Sequence, residues 1–248
     1  MKLVTLNLWQ GRLNRNYPYF IADQKADIIC LQEVYSSDIE FPVLEQFRSR
    51  QYVQEASGLE HSFFSPTYGF TVMGSKVQFG NLILSRYPFS SQKTIFTSGE
   101  YRDLNAPTDY VPNTRNAQVA KIQVDGKELT IVNHHGHWEP SVNGSEVSLA
   151  RLEFLASQLK DIQGPYIVAG DFNVSSKSEA MSNFKNILNL TDLKQGQYES
   201  TLTGIVTPYI VDCDYILISK EVNSQSFEVS DQLVSDHRPL ILEFNLSQ

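Results

Sequence analysis

Residues 166–173 read Tyr166-Ile167-Val168-Ala169-Gly170-Asp171-Phe172-Asn173. Four apolar residues in a row, entered from Gly164-Pro165 and left at Gly170, suit a strand buried on both faces. Such a strand delivers its next side chains at the rim of its sheet. Asp171 and Asn173, two apart, then point to the same side. Gly-Asp and Asn also form turns, so recurrence of the pattern separates a site from a turn. The pattern recurs. Glu33 ends Asp27-Ile28-Ile29-Cys30-Leu31-Gln32-Glu33, and Asn7 lies near the end of a first strand in which Leu3, Thr5 and Asn7 alternate with Val4, Leu6 and Leu8. Asn133-His134-His135 follows Leu129-Thr130-Ile131-Val132. Asp214 lies inside an apolar run, where a charge is expensive unless paired or metal-bound, and Ser235-Asp236-His237-Arg238-Pro239 precedes the last strand.

Outward from these runs, strands and helices alternate. Strands are expected at residues 2–9, 27–33, 68–73, 80–85, 91–96, 114–124, 129–134, 166–169, 209–211, 213–218, 226–229 and 240–246. Asp125-Gly126 is a strong hairpin signal. Helices are expected at 16–25, at 38–50 with Pro42 in the first turn, at 146–162 and at 178–190. The best of these is 146–162, where Leu152, Leu155, Leu159 and Ile162 recur at helical spacing and Ser145 offers an N-cap. Residues 57–65, 98–112 and 139–144 read as loops. No linker or repeat interrupts the chain, so one domain over residues 1–248 is expected. Many strands with few long helices predict an α/β class, two packed sheets with helices outside.

The 248 residues carry 28 acidic and 20 basic side chains, a formal charge of −8. Hydrophobic residues at 41% suffice for a large core and exclude general disorder. The acidic balance argues against a diffuse basic surface that coats nucleic acid. It leaves room for an enzyme that meets phosphate through a metal. No run of about 18 apolar residues is present, so no membrane span is expected. Met1-Lys2-Leu3-Val4-Thr5 enters an apolar alternation without a signal-peptide core; a cytoplasmic monomer is expected. Cys30 and Cys213 sit in apolar runs and read as buried free thiols.

The rim residues suit phosphate-ester hydrolysis. That reaction needs a hard cation to offset developing charge and an oriented water to attack in line. Mg²⁺ takes oxygen ligands, few of them from protein. A histidine contacts a phosphate oxygen, and a carboxylate behind it favours the charged form.

In order and spacing, Asn7, Gln32-Glu33, the strand from Gly80 to Ser85, Asn133-His134-His135, Gly170-Asp171-Phe172-Asn173, Asp214-Tyr215-Ile216-Leu217 and Ser235-Asp236-His237 resemble the endonuclease/exonuclease/phosphatase superfamily. The match covers nearly the whole chain. The resemblance implies a deoxyribonuclease-like four-layer sandwich, two mainly antiparallel sheets flanked by helices. It implies a Mg²⁺- or Mn²⁺-dependent phosphoesterase acting on a phosphodiester or a phosphomonoester. Glu33 would be the main metal ligand, with Asn7 close by and Asp236 in support. Asp171 would orient or deprotonate the attacking water, and Asn173 would hydrogen-bond the phosphate. His135 and His237 would contact it, and Asp214 would tune a histidine. Asn81, Arg115 and His137 are substrate-contact candidates.

Some positions depart from particular branches. Tyr35 stands where abasic-site endonucleases carry Lys, and Asp212 where many members carry Arg. Arg12, Arg15 and Lys25 are scattered in sequence, without a tight basic cluster. The expected partner is a phosphate-ester substrate, with nucleic acid the alternative. A non-catalytic binding domain on the same fold is the minor alternative.

Overall fold

The computed structural model describes residues 1–13, 15–39, 46–105, 113–194, 200–206 and 210–247. Seven strands form one sheet in the order β12 (Val222–Val229), β13 (Leu240–Leu246), β1 (Lys2–Asn7), β2 (Ile28–Ser37), β4 (Ser75–Ser85), β3 (His61–Val72) and β6 (Arg102–Asp103). Six form the other: β10 (Thr191–Asp192), β11 (Asp214–Ile218), β9 (Tyr166–Asp171), β8 (Lys127–His135), β7 (Arg115–Val124) and β5 (Phe89–Ser98). Each sheet is built around a parallel pair, β1 with β2 and β8 with β9, and the short β6 also runs parallel to β3. A parallel pair needs a crossover. Helix α1 (Tyr17–Gln24) supplies the first and α3 (Glu146–Leu159) the second, and each packs on the outer face of its own sheet. Most other neighbours are antiparallel.

The two-residue alternation of side chains then makes three apolar layers. Leu3, Ile28, Cys30, Ile83 and Leu242 of the first sheet meet Ala120, Ile122, Ile131, Ile167, Ala169 and Ile216 of the second. Val4, Leu6, Leu8, Ile29 and Leu31 face outward against α1 and α2 (Ser49–Ser57). Val132, Val168, Tyr215 and Leu217 face the other way, against α3 and α4 (Glu179–Leu188). The result is helices, sheet, sheet, helices. Leu152, Leu155 and Leu159 of α3 are buried as their spacing predicts; each contributes about 1.5–3 kcal/mol. Ser145 caps α3, its hydroxyl accepting from the amides of Val147 and Ser148. Asp125 and Gly126 turn the β7–β8 hairpin with φ of 51° and 79°, the paired positive values of a type I′ turn.

Several boundaries differ from the sequence reading. The loop expected at 57–65 narrows to 58–60: α2 runs to Ser57, and β3 begins at His61, before the expected start at residue 68. The serines there look solvent-seeking, but Ser65 is buried and pairs with Thr94 across the sheets while Phe63 enters the core. The helix expected at 38–50 starts only at Ser49; residues 40–45, with Pro42, lie outside the described residues. The two-residue strand β6 lies within the expected loop 98–112, of which 106–112 lie outside the described residues. Val211 is not in a strand, and Tyr209 of the strand expected there lies outside the described residues. Both cysteines are buried and free. Among the described residues no helix is long and apolar enough to cross a membrane.

Candidate active site

Parallel strands end on the same rim. Asn7 ends β1, His135 ends β8 and Asp171 ends β9, all on the side facing the opposite sheet. Antiparallel β11 starts at that rim, so its first residue, Asp214, joins them opposite Asp171. Glu33 is the exception, because it shares the parity of outward-facing Ile29 and Leu31. A bulge corrects this. Between Leu31 and Val34 the register against β4 slips, Glu33 adopts φ 57°, and outward packing resumes at Val34. A positive φ on Glu is unfavourable, and here it turns the carboxylate to the rim beside Asn7. Two glycines permit the close approach of strands. A Cβ on Gly170 would lie 2.0 Å from the His134 carbonyl, and one on Gly136 would lie 2.1 Å from that of Phe172.

Asn7 bridges the carboxylates. Its Nδ2 donates to Asp171 Oδ2 at 3.0 Å and to Glu33 Oε1 at 3.4 Å, and its Oδ1 accepts from the Trp9 amide at 3.0 Å. Asp171 Oδ1 accepts from the Asn173 amide at 2.9 Å. His135 Nε2 lies 3.7 Å from Asp171 and 3.9 Å from Glu33. On the other side His237 Nε2 lies 3.9 Å from Asp171, and its Nδ1 pairs with Asp214 at 2.9 Å. Thr201 Oγ1 donates to Asp214 at 2.6 Å. Ser235 Oγ lies 2.7 Å from the Asn7 carbonyl and 3.1 Å from Asp236 Oδ1, which holds the segment before β13 against the end of β1.

Beneath the rim lies a layer of buried amides. Gln32 donates to Asn133, and Asn133 donates across the interface to the carbonyls of Leu31 and Leu82 and, within its own sheet, to Gln118. Asn81 donates to Asn116, which donates to the Ser65 carbonyl. The interior thus grades from the apolar core through amides to the charged rim.

Burial sets the protonation of the site. It raises Asp171 to about 6, and Asp214 adds to the rise while His237 opposes it. Burial alone would lower His237, but the Asp214 and Asp171 carboxylates overcome it and hold the imidazole well above its ordinary value. His135 goes the other way: burial, with the positive charge of Arg115 adding to it, keeps it neutral. Burial also raises Asp236.

These residues surround a cleft of about 880 Å³ lined by Asn7, Glu33, Arg115, His135, Asp171, Asn173, Asp236 and His237. Arg115 Nε donates to the Gly136 carbonyl at 2.8 Å. Two substrate candidates are not brought to that lining. Asn81 is held in the amide layer and His137 stands beyond the rim. His134 is buried on the outer side of β8, its ring edge-on to Phe172 at 4.9 Å. Both tryptophans of the chain, Trp9 and Trp138, line the cleft. Thr201 was missed, because nothing in Ser200-Thr201-Leu202 marks it before the fold brings it to Asp214.

A hard divalent cation fits the donors. Glu33 and Asp236 offer carboxylate oxygens to the cleft beside Asp171, while Asp214 stands behind His237. Asn7 stands beside Glu33, as expected of a residue close to the metal: its amide nitrogen faces Glu33 and Asp171, and its oxygen accepts from the Trp9 amide.

The chain is 27% identical over 138 residues to the UPF0294 protein of Vibrio campbellii, covering 54% of this chain and 46% of that protein. The chain thus matches about half the length of this curated relative. It is similar in fold to an endonuclease/exonuclease/phosphatase from Beutenbergia cavernae, with a TM-score of 0.75 and 16% identity over 100% of this chain and 72% of the other. It is similar also to a mannosyl-6-phosphatase of Bacteroides thetaiotaomicron, with a TM-score of 0.71 and 15% identity over 99% of this chain and 100% of the other. The sequence profile of the Endonuclease/Exonuclease/phosphatase family matches residues 4–237. With that match running from β1 to the histidine that faces Asp171, the chain belongs to the endonuclease/exonuclease/phosphatase family.

Proposed function

We propose that the protein is a Mg²⁺- or Mn²⁺-dependent phosphoesterase that hydrolyses a phosphodiester or phosphomonoester by in-line attack of water. The observation that carries this reading is the line Asp214–His237–Asp171, with separations of 2.9 and 3.9 Å, closed by Asn7 toward Glu33. Glu33 and Asp236 would hold the cation, which when bound offsets phosphate charge and polarises the ester. Asp214 fixes His237 through Nδ1 and keeps it charged, so Nε2 donates to a phosphate oxygen. Asp171, ionised above about pH 6, takes the proton of the attacking water. Asn173 Nδ2 and neutral His135 donate to the oxygens that gain charge as the phosphorus becomes five-coordinate. Purified protein with Mg²⁺ or Mn²⁺ should hydrolyse an activated diester, and Asp171→Ala should lose about 10²-fold or more of that rate. An unchanged rate in the variant, or indifference to a chelator, would sink the proposal.

One observation favours nucleic acid as the substrate. Arg12 and Arg15, unremarkable in sequence, share with Tyr17, Tyr19 and Tyr52 a second cavity of about 830 Å³. It begins at Gln10 and Gly11, next to Trp9 of the cleft. Cations interleaved with aromatic faces are what a single strand uses.

A further inference from the structure

At the floor of the cleft, ligand atoms of Asp171, Cys213, Asp214 and His237 all lie within 4.8 Å of one another, and all four residues are buried. This set differs in kind from the oxygen-only pair Glu33 and Asp236, because it contains a thiol and an imidazole. Cys213 Sγ lies 3.5 Å from Asp214 Oδ2, and His237 Nδ1 lies 2.9 Å from the same oxygen. Ligands of a tetrahedral ion at bond lengths of about 2.0–2.3 Å sit roughly 3.3–3.8 Å apart, so small side-chain shifts would close the four around one ion. Mg²⁺ has no use for sulfur; a Cys, His, carboxylate set selects Zn²⁺ and its relatives. The set also has an outer support. Thr201 Oγ1 donates to Asp214 and accepts from the Cys213 and Asp214 amides, fixing two of the four ligands. Asp171, Cys213 and His237 line the cleft, so an ion from solvent reaches them. The hydrolytic chemistry proposed above gives the thiol no task.

We infer that Cys213, together with His237, Asp214 and Asp171 of the catalytic line, forms a site for Zn²⁺ distinct from the Glu33–Asp236 pair, and that zinc there shuts off the hydrolase. Binding releases the Sγ proton of Cys213 and the Nδ1 proton of His237 to solvent. It replaces the His237–Asp214 pair with two metal bonds and ties up Asp171. The zinc site stands on geometry alone, while the inhibition rests on the hydrolase reading.

Titration of the intact protein with Co²⁺, a spectroscopic stand-in for Zn²⁺, tests the site without any activity measurement. The expected result is a thiolate-to-cobalt charge-transfer band with tetrahedral visible bands. Both should vanish on addition of Zn²⁺ and persist in Cys30→Ser and Glu33→Gln. In Cys213→Ser, shown to be folded by circular dichroism, the charge-transfer band should be absent. Thr201→Val should weaken Co²⁺ binding by about tenfold. No band in the wild-type protein, or the same band in Cys213→Ser, would overturn the site. In the Mg²⁺-activated enzyme, Zn²⁺ should inhibit at least about tenfold more weakly in Cys213→Ser, each protein scored against its own zinc-free rate. Equal inhibition in both would place the inhibitory zinc elsewhere and overturn that half of the inference. A cobalt band in a protein that hydrolyses nothing would keep the site and remove the hydrolase reading instead.

Discussion

Asp171 and His237 face each other at 3.9 Å, and both bind their proton more tightly than they would in water, for opposite reasons. Burial raises Asp171 to about 6, because removing water disfavours the carboxylate. Burial would lower His237, but Asp214 and Asp171 overcome it. If Asp171 must be ionised and His237 charged, the rate rises with pH through the carboxylate and falls only where the imidazole loses its proton. The metal-activated enzyme should therefore show an acid limb at or below about pH 6, since a nearby cation lowers Asp171 further, and a basic limb well above 6.5. Asp214→Asn keeps the shape and removes the charge that holds His237. Its basic limb should move toward neutrality, and kcat should fall by about 10²-fold or more. Histidine resonances followed by NMR in the metal-free protein give the matching check: the imidazole of His237 should titrate lower in Asp214→Asn. A basic limb that stays in place would remove Asp214 from this role.

Among elements, the strands were legible because each carries its burial in its spelling. The run ending at Ala169 is apolar on every residue, and β1 and β8 are buried on both faces along nearly their whole length. The rim position of Asn7, His135, Asp171 and Asp214 follows from strand ends alone. Glu33 reached the right place through a step that no periodicity shows, the bulge at φ 57° that reverses its face. The end of the apolar run 27–33 marks it as a rim residue, but not the face it takes there. Asn81, a substrate-contact candidate, lies between the sheets, where its Nδ2 donates to Asn116. Thr201 could not be read at all, since its partner Asp214 is reached through tertiary contact. Two substitutions measure what these elements bear. Gly170→Ala would place a methyl 2.0 Å from the His134 carbonyl at φ 135°, and should cost about 3 kcal/mol or more in chemical denaturation. Asn133→Ala would strip donors from the Leu31 and Leu82 carbonyls and from Gln118, and should cost about 2–4 kcal/mol by the same measurement. A loss under about 0.5 kcal/mol in either would mean that the sheets repack freely at that point.

For the molecule as a whole the charge of −8 has an uneven layout. Glu33, Asp171 and Asp236 line the cleft and Asp214 stands behind His237, four of the acids at one site whose charge a divalent ion would partly offset. Next to it, Arg12 and Arg15 stand in a cavity with three tyrosines, and the Arg12 guanidinium lies 6.0 Å from the Trp9 ring centre, joining that cavity to the cleft. A chain that repels nucleic acid on average thus has a local path for one strand. If a single strand lies along this path, a base stacks on the exposed Tyr19 ring and its phosphates meet the two arginines while one phosphate enters the cleft. Each such phosphate contact adds about 0.7 to the slope of log affinity against log salt. The double variant Arg12→Ala, Arg15→Ala should then raise KM for a short single-stranded oligonucleotide by about tenfold or more. It should flatten the salt dependence by up to about 1.4, leaving hydrolysis of a small activated diester unchanged. The small diester is the control, because it fills only the catalytic cleft. A KM that rises equally for both substrates would mean that the arginines support the Trp9 turn and not a strand. An oligonucleotide that is never cut, beside a diester that is, would leave the site a phosphoesterase for a smaller molecule.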